Sequence, residues 1–263
     1  MSLVKNLALA SRIPLHIKKT QTKELMSMYE ALIITPVKDS LNTTIETIQS
    51  IHQSEGKFLY CIYNDFSTQE TTLKLQQIQL QHNFELINLA AITDTPSPNY
   101  RLVLLMAQKK ALELNIPLII VESDVEVKAT TFRELIRHSK ELDKCGMVAA
   151  ITINREGEIN FPYLNFKSSK TDIIKTKHSL SFCCTLLTTE LLTRYNFKTL
   201  STEKHWYDVS ISRKSVQLGL NNYLLTSVGV LHKPHSSRPW KQLKYNNPIK
   251  YYFQKLIKRL DRI

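Results

Sequence analysis

Pro117-Leu-Ile-Ile-Val121 is an apolar run, and Glu122-Ser123-Asp124 follows it directly. A short apolar run that ends abruptly in polar residues is typical of a strand buried on both faces of a parallel sheet. The two acidic residues then stand at the carboxyl end of that strand, where open α/β sheets bind their ligands. This stretch predicts both an α/β fold and the edge of the sheet that carries the site.

Further strand–helix pairs precede this run at the spacing of βα units. We predict strands at 31–35, 58–63 and 84–89, with Pro36 already in the loop after the first strand. Helices are predicted at 68–82 and 99–114, and an earlier one begins at Ser40, which caps it and places Leu41, Ile45, Ile48 and Ile51 on one face. The alternation predicts a Rossmann-like, mostly parallel central sheet flanked by helices.

The second half of the chain is more mixed. Predicted helices at 131–142, 189–195 and 208–218 alternate with predicted strands at 147–153, 182–188 and 223–231. We find no internal repeat and no clear linker. The simplest division is an extension over 1–30, one α/β domain over 31–240 and a tail over 241–263.

Composition excludes several classes of protein. Hydrophobic residues make up 43% of the 263, enough for a sizeable core, and no uninterrupted apolar run reaches the ~18 residues of a membrane span. Lys5 and Arg12 interrupt the apolar N-terminus, so a secretion signal is not expected. The four cysteines form no CxxC pair, which predicts neither a disulfide framework nor a metal–thiolate site and favours a reducing, cytoplasmic compartment.

The formal net charge of +12 fits an anionic partner: nucleic acid, a membrane surface or a phosphorylated substrate. Basic residues crowd the tail, where Tyr252, Leu256 and Leu260 recur at helical spacing. This pattern suits a helix in the interface of a membrane, which would make the protein peripheral on the inner face. A terminal helix packed on the domain, with a solvated basic face, fits the pattern equally well.

The carboxylates of Glu122 and Asp124 lie two residues apart in the turn after a buried strand. From there both can reach one hard cation, and Mg²⁺ and Mn²⁺ prefer such oxygen ligands and bridge them to substrate phosphates. A solvated acidic turn is the simpler alternative. Polar clusters after two other strands, at 36–39 and 64–67, favour a ligand site because the carboxyl ends of parallel strands share one edge.

The order of these features resembles glycosyltransferase family 2, whose members have the GT-A fold. Thr35-Pro36-Val37-Lys38-Asp39 is similar to the loop after the first strand of that family, and Asn64-Asp65-Phe66-Ser67 to its acidic pair plus serine. Glu122-Ser123-Asp124 resembles its DxD motif with the first acid lengthened. Asp208 at the head of a late helix and His232 after the last core strand complete the set.

The resemblance implies an inverting transfer of a sugar from a nucleoside-diphosphate sugar to an acceptor hydroxyl. It implies Mn²⁺ or Mg²⁺ on Asp124, with Glu122 and His232 as further ligands, and Asp208 as the general base. Nucleotide contacts are then expected from Thr35, Pro36, Asp39, Asp65, Arg101 and Ser123. The expected acceptor is a growing surface polysaccharide, a lipopolysaccharide core or a lipid-linked glycan.

Departures from the family pattern keep other interpretations open. Arg101 stands where glycine is common, and it either fills space or reaches the diphosphate. A catalytically inactive GT-A-like nucleotide-binding protein is one alternative, and a nucleic-acid-binding protein is another. The second is disfavoured because basic residues are not interleaved with aromatic ones across the domain. A nucleotidyltransferase is disfavoured because residues 37–42 contain no glycine for a phosphate loop.

Overall fold

The computed structural model describes residues 28–203 and 206–233 together with Tyr252. Its strands are β1 (Ala31–Val37), β2 (Phe58–Asn64), β3 (Glu85–Asn88), β4 (Leu118–Val121), β5 (Val125–Glu126), β6 (Cys145–Ile153), β7 (Ile173–Thr176), β8 (Cys184–Leu187) and β9 (Asn221–His232). Its α-helices are α1 (Leu41–His52), α2 (Gln69–Ile78), α3 (Tyr100–Leu114), α4 (Thr131–Glu141), α5 (Thr189–Arg194) and α6 (Tyr207–Gln217). The predicted sheet-and-helix alternation is confirmed, and the predicted tail, apart from Tyr252, lies outside the described residues.

All these strands join one sheet in the order β3-β2-β1-β4-β8-β6-β9-β5, and β7 pairs with β9 outside this path. The contacts among β1, β2, β3 and β4 are parallel, as the βα spacing predicts. The short strand β8 runs antiparallel between β4 and β6. The central sheet is therefore parallel in the first half and mixed in the second.

Two apolar layers cover the faces of the sheet because side chains alternate along each strand. In β4, Leu118 and Ile120 pack in the layer under α3, and Ile119 and Val121 pack in the layer under α1 and α4; all four are fully buried. A strand covered on both faces must be apolar throughout. The first polar side chains after β4 therefore emerge only at its carboxyl end.

Two helix starts illustrate how short polar residues define the boundaries. The hydroxyl of Thr68 accepts a hydrogen bond from the Thr71 N–H at the start of α2, and the hydroxyl of Thr188 accepts one from the Leu191 N–H at the start of α5. Ser40 precedes α1 as expected, but it adopts a left-handed backbone conformation and its side chain makes no capping hydrogen bond. The predicted side-chain cap at Ser40 is wrong.

Two further details of the sequence prediction are corrected. Pro36 lies within β1, where it is tolerated because the pairing of β1 with β4 stops at Ile34. The fully buried face of α1 includes Thr44 and Thr47 together with Ile48 and Ile51, whereas Leu41 and Ile45 are only partly buried. No helix in the described part of the chain has both the length and the apolar character that a membrane crossing requires.

Candidate functional site

The turn after β4 is held by backbone hydrogen bonds to two other strand ends. The Glu122 N–H donates to the Cys183 carbonyl at 3.1 Å, and the Lys233 N–H donates to the Asp124 carbonyl at 3.0 Å. Ser123 and Asp124 are buried in this turn. The end of β4, the start of β8 and the end of β9, which are distant in sequence, therefore converge on one acidic turn.

The imidazole of His232 is oriented from both sides. Its Nδ1 lies 2.8 Å from the Phe161 carbonyl oxygen, which can only accept, so Nδ1 carries the proton. Its Nε2 faces the acidic turn, 3.6 Å from Oδ2 of Asp124. Burial acts to lower the pKa of His232, but the hydrogen bond and charge of Asp124 and the charge of Glu122 outweigh it and raise that pKa. The structure thus brings His232 and Asp124 together, as the sequence predicts.

Cys183 is a member of the site that the sequence did not predict. Its Sγ lies 3.7 Å from Oε2 of Glu122. One ligand atom each from Glu122, Cys183 and His232 lie within 4.8 Å of one another. Burial, followed by the charges of Glu122 and Asp124, raises the pKa of the Cys183 thiol well above its ordinary value. The sequence did not single out Cys183 because it has no CxxC partner, and only the fold brings it close to Glu122 and His232, which come from distant elements.

Aromatic side chains line the neighbouring part of the edge. The ring of Tyr100 is stacked nearly parallel to the rings of Phe182 and Tyr207, with centroids 6.3 and 6.2 Å away. Burial and then the charges of Glu122 and Asp208 raise the pKa of Tyr100. The stack therefore joins the starts of α3 and α6 beside the acidic turn.

Asp208 lies in the first turn of α6, directly after Tyr207, and its Oδ1 accepts a hydrogen bond from the Val209 N–H at 2.8 Å. Its charge also contributes to the raised pKa of Cys183. The carboxylate therefore belongs to the same edge of the sheet as Glu122. Its role as a base stays a prediction.

The loops after β1 and β2 are tied to each other. The Asp39 N–H donates to Oγ of Ser67, Oδ1 of Asp39 accepts from the Thr68 N–H at 2.7 Å, and the Lys38 ammonium donates to the Phe66 carbonyl. These bonds bring two of the predicted polar clusters together. Thr35, by contrast, is fully buried, and its hydroxyl accepts from the hydroxyl of Tyr60 at 3.0 Å.

Asp65 links the end of β2 to the start of α3. Its carboxylate accepts from the Ser97 hydroxyl, the Asn99 N–H and the Asn99 amide, each at 2.8 Å. Arg101 donates from Nε to the Leu200 carbonyl at 3.0 Å and from Nη2 to the Lys198 carbonyl at 2.8 Å. The structure thus gives both residues a positioning role, and their nucleotide contacts stay predictions.

Lys233 follows His232, and its side chain extends away from the acidic turn. Its buried ammonium pairs with the carboxylates of Glu46 on α1 and Glu126 on β5. These ion pairs, with the Lys233 N–H bond to Asp124, fix the backbone that carries His232. Lys233 therefore supports the site rather than lining it.

Comparisons with known proteins agree with this architecture. No protein-family model matches the sequence, and a comparison with curated protein sequences finds no similar one. Among solved structures, S. aureus TarS 1-349 is similar at 16% identity over 82% of this chain and 64% of that one, with a TM-score of 0.61. GalNAc-T7 with UDP, GalNAc and Mn²⁺ is similar at 12% identity over 78% of this chain and 44% of that one, with a TM-score of 0.57.

A third similar structure is the mannosyltransferase PcManGT from Pyrobaculum calidifontis in complex with GDP-Man and Mn²⁺. It shares 13% identity over 91% of this chain and 71% of that one, with a TM-score of 0.59. The chain thus spans less than two thirds of the length of the TarS and GalNAc-T7 structures. At these identities the likeness is one of fold, and it agrees with the order and direction of the strands. The chain has the GT-A glycosyltransferase fold.

Proposed function

We propose that the chain transfers a sugar from a nucleoside-diphosphate sugar to a hydroxyl of a glycan or lipid-linked acceptor, with inversion at the anomeric carbon, in the manner of glycosyltransferase family 2. One observation carries the proposal. Glu122, Asp124 and His232 meet at the carboxyl end of β4, at the same edge as the joined loops after β1 and β2, in a GT-A fold. Nucleotide ligands of open α/β sheets bind at this edge.

A divalent cation fits the donor atoms of this turn. Carboxylate oxygens and an imidazole nitrogen face one another there, and the carbonyl of Phe161 fixes the proton of His232 on Nδ1, which leaves Nε2 as the ligand atom. A bound cation supplies charge that stabilises the departing diphosphate. Glu122, Asp124 and His232 would hold it, with Ser123 in the same turn.

The loops after β1 and β2 are proposed to hold the nucleoside. In this proposal Pro36, Asp39 and Asp65 form part of the nucleoside site, and the hydrogen bonds of Asp39 and Asp65 within the protein hold these loops in place before the donor binds. The buried hydroxyl of Thr35 supports the wall from behind through Tyr60. Arg101 holds the segment 198–200 against the start of α3 and would act on the donor by positioning.

Asp208 is proposed as the general base. Its carboxylate lies in the first turn of α6, and a carboxylate can accept the proton of the attacking acceptor hydroxyl. The stacked rings of Tyr100 and Tyr207 lie beside it. They offer an apolar wall on which a sugar ring could rest.

Ligand-dependent thermal unfolding tests the proposal. Thermal unfolding of the chain is measured with UDP, GDP, dTDP and CDP, each with and without Mn²⁺. For any sugar nucleotide from which the chain transfers sugar, the configuration at the anomeric carbon of the product is determined by NMR. A nucleotide at a hundred times its dissociation constant should stabilise the fold by ~2.7 kcal/mol, which is roughly 5–10 °C for a chain of this size.

The matched variants are Asp124→Asn in the acidic turn and Asp172→Asn at an exposed position near β7. We expect the cation-dependent shift to disappear in the first and to persist in the second. A chain that no nucleotide stabilises would contradict donor binding. A nucleotide shift without sugar transfer to any acceptor would favour the inactive nucleotide-binding alternative.

A further inference from the structure

Three ligand atoms of different chemistry meet at the acidic turn. They belong to the carboxylate of Glu122, the thiol of Cys183 and the imidazole of His232, and they all lie within 4.8 Å of one another. Cys183 is 2% exposed, and its Sγ is 3.7 Å from Oε2 of Glu122. The thiol thus stands among the groups proposed to hold the cation.

The fold brings Cys183 to this position through strand pairing. β8 runs antiparallel to β4 with Cys184 opposite Val121, and the Glu122 N–H donates to the Cys183 carbonyl. The residue before β8 is therefore adjacent to the first acid after β4. The next cysteine, Cys184, is buried in the same apolar layer, but burial alone raises the pKa of its thiol, without the contribution of Glu122 and Asp124 that Cys183 receives.

A thiol changes which cations the site prefers. Mg²⁺ and Mn²⁺ take oxygen ligands, whereas a set of one sulfur, one imidazole and one carboxylate suits softer ions such as Zn²⁺ and Co²⁺. On coordination the thiol loses its proton to the solvent and the sulfur donates an electron pair to the ion, without oxidation or reduction. Nothing further is consumed, so the step needs no co-reactant.

We propose that Sγ of Cys183 is a metal ligand together with Glu122 and His232, and that the site binds a thiophilic divalent ion of the zinc class more tightly than Mg²⁺ or Mn²⁺. The inference rests on the proposed function in one respect: both place a cation at the acidic turn. It differs from the sequence prediction, in which the cysteines contribute no ligand and the ion is Mn²⁺ or Mg²⁺.

Cobalt absorption spectroscopy tests the inference without any measurement of activity. The full chain is stripped of metal and titrated with Co²⁺, and the near-ultraviolet spectrum is followed for a sulfur-to-cobalt charge-transfer band. We expect the band in the wild type, its loss in Cys183→Ser and its retention in Cys184→Ser. Stoichiometric Zn²⁺ should remove the band, and a hundredfold excess of Mg²⁺ or Mn²⁺ should leave it.

Circular dichroism establishes that each variant is folded. If Cys183→Ser does not fold, Glu122→Gln takes its place, with at least about tenfold weaker Co²⁺ binding expected. Bound Co²⁺ without a charge-transfer band in the wild type would overturn the inference, as would a band that persists in folded Cys183→Ser. If either of these results comes with sugar transfer supported by Mn²⁺, the inference about Cys183 fails and the proposed function stands. If the band depends on Cys183 but no nucleotide binds, the inference about Cys183 stands and the proposed function fails.

Discussion

At the level of single residues, the protonation of His232 is set by its neighbours. Asp124 and Glu122 favour the charged imidazole, the Phe161 carbonyl accepts its Nδ1 proton, and together they outweigh burial. The pKa of His232 in the folded chain therefore lies above its value of about 6.5 in an unfolded chain. The folded state then binds this proton more tightly, so the resulting stability is complete at low pH and falls as pH rises.

This gives a pH-dependent prediction for His232→Gln in the presence of a chelator. The wild type should exceed the variant in free energy of unfolding most clearly below about pH 6.5, and the difference should shrink as pH rises through the raised pKa of His232. Urea unfolding of both chains across this range measures it. A difference that stays constant, or one that grows with pH, would show that the imidazole is not held in its charged form.

Asp208 carries a prediction that separates catalysis from helix stability. If it is the general base, Asp208→Asn should lower kcat by about 10²- to 10⁴-fold and leave donor binding unchanged. The loss of charge in the first turn of α6 should cost only about 0.3–1 kcal/mol of stability. Steady-state kinetics and denaturant unfolding of the same preparation give both values.

The matched control for Asp208 is Glu190→Gln, which removes an acid from the first turn of α5, where Glu190 pairs with Arg194. The control should lose a similar amount of stability and keep its activity. Equal kcat values for Asp208→Asn and the wild type would remove Asp208 from the reaction.

At the level of secondary-structure elements, the sequence predicts the helices and strands that have a clear apolar pattern. It misses the strands and contacts that arise only from the pairing of strands. The buried run of β4 and the amphipathic helices are visible in the sequence because each repeats its own pattern. β5 and β7 are short strands without such a pattern, and they exist because both pair with the long strand β9. Cys183 was missed for the same reason, since only the pairing of β8 with β4 brings it to Glu122.

The hydrogen-bonded contact between the end of β2 and the residues before α3 can be tested through Asp65. Its buried carboxylate accepts hydrogen bonds from the Ser97 hydroxyl and from both the backbone and the side chain of Asn99. Asp65→Ala leaves these three donors without their shared acceptor, and the loss is smaller than three separate penalties of about 1–3 kcal/mol because the donors belong to one network and can regain water. We expect the free energy of unfolding to fall by about 2–4 kcal/mol, measured in urea.

Asp94→Ala is the control, because Asp94 is exposed in the segment between β3 and α3 that also carries Ser97 and Asn99. It should change stability by less than about 0.5 kcal/mol. Nucleotide binding by Asp65→Ala should weaken together with its stability if the carboxylate acts by holding the pocket. A stable Asp65→Ala chain would mean that α3 is positioned by its apolar packing alone.

At the level of the whole molecule, charge is distributed unevenly along the chain. Residues 241–263 contain seven Lys or Arg and one Asp, and so carry six of the twelve net positive charges. Each basic residue near an anionic surface contributes about 1 kcal/mol to binding. The apolar residues interleaved at helical spacing predict that this segment also inserts into the interface of the membrane.

Vesicle flotation measures this last prediction with three chains. We expect the full chain to bind vesicles with anionic lipid at least ~100-fold more tightly than a chain truncated after Trp240, and to bind neutral vesicles weakly. Replacing Tyr252, Leu256 and Leu260 with Ser keeps the charge and removes the apolar stripe. That variant should bind only at low salt, because screening weakens purely electrostatic attraction. Equal binding by the full and truncated chains would instead favour a terminal segment that packs on the domain, and the acceptor would then have to reach the site without a membrane anchor in this segment.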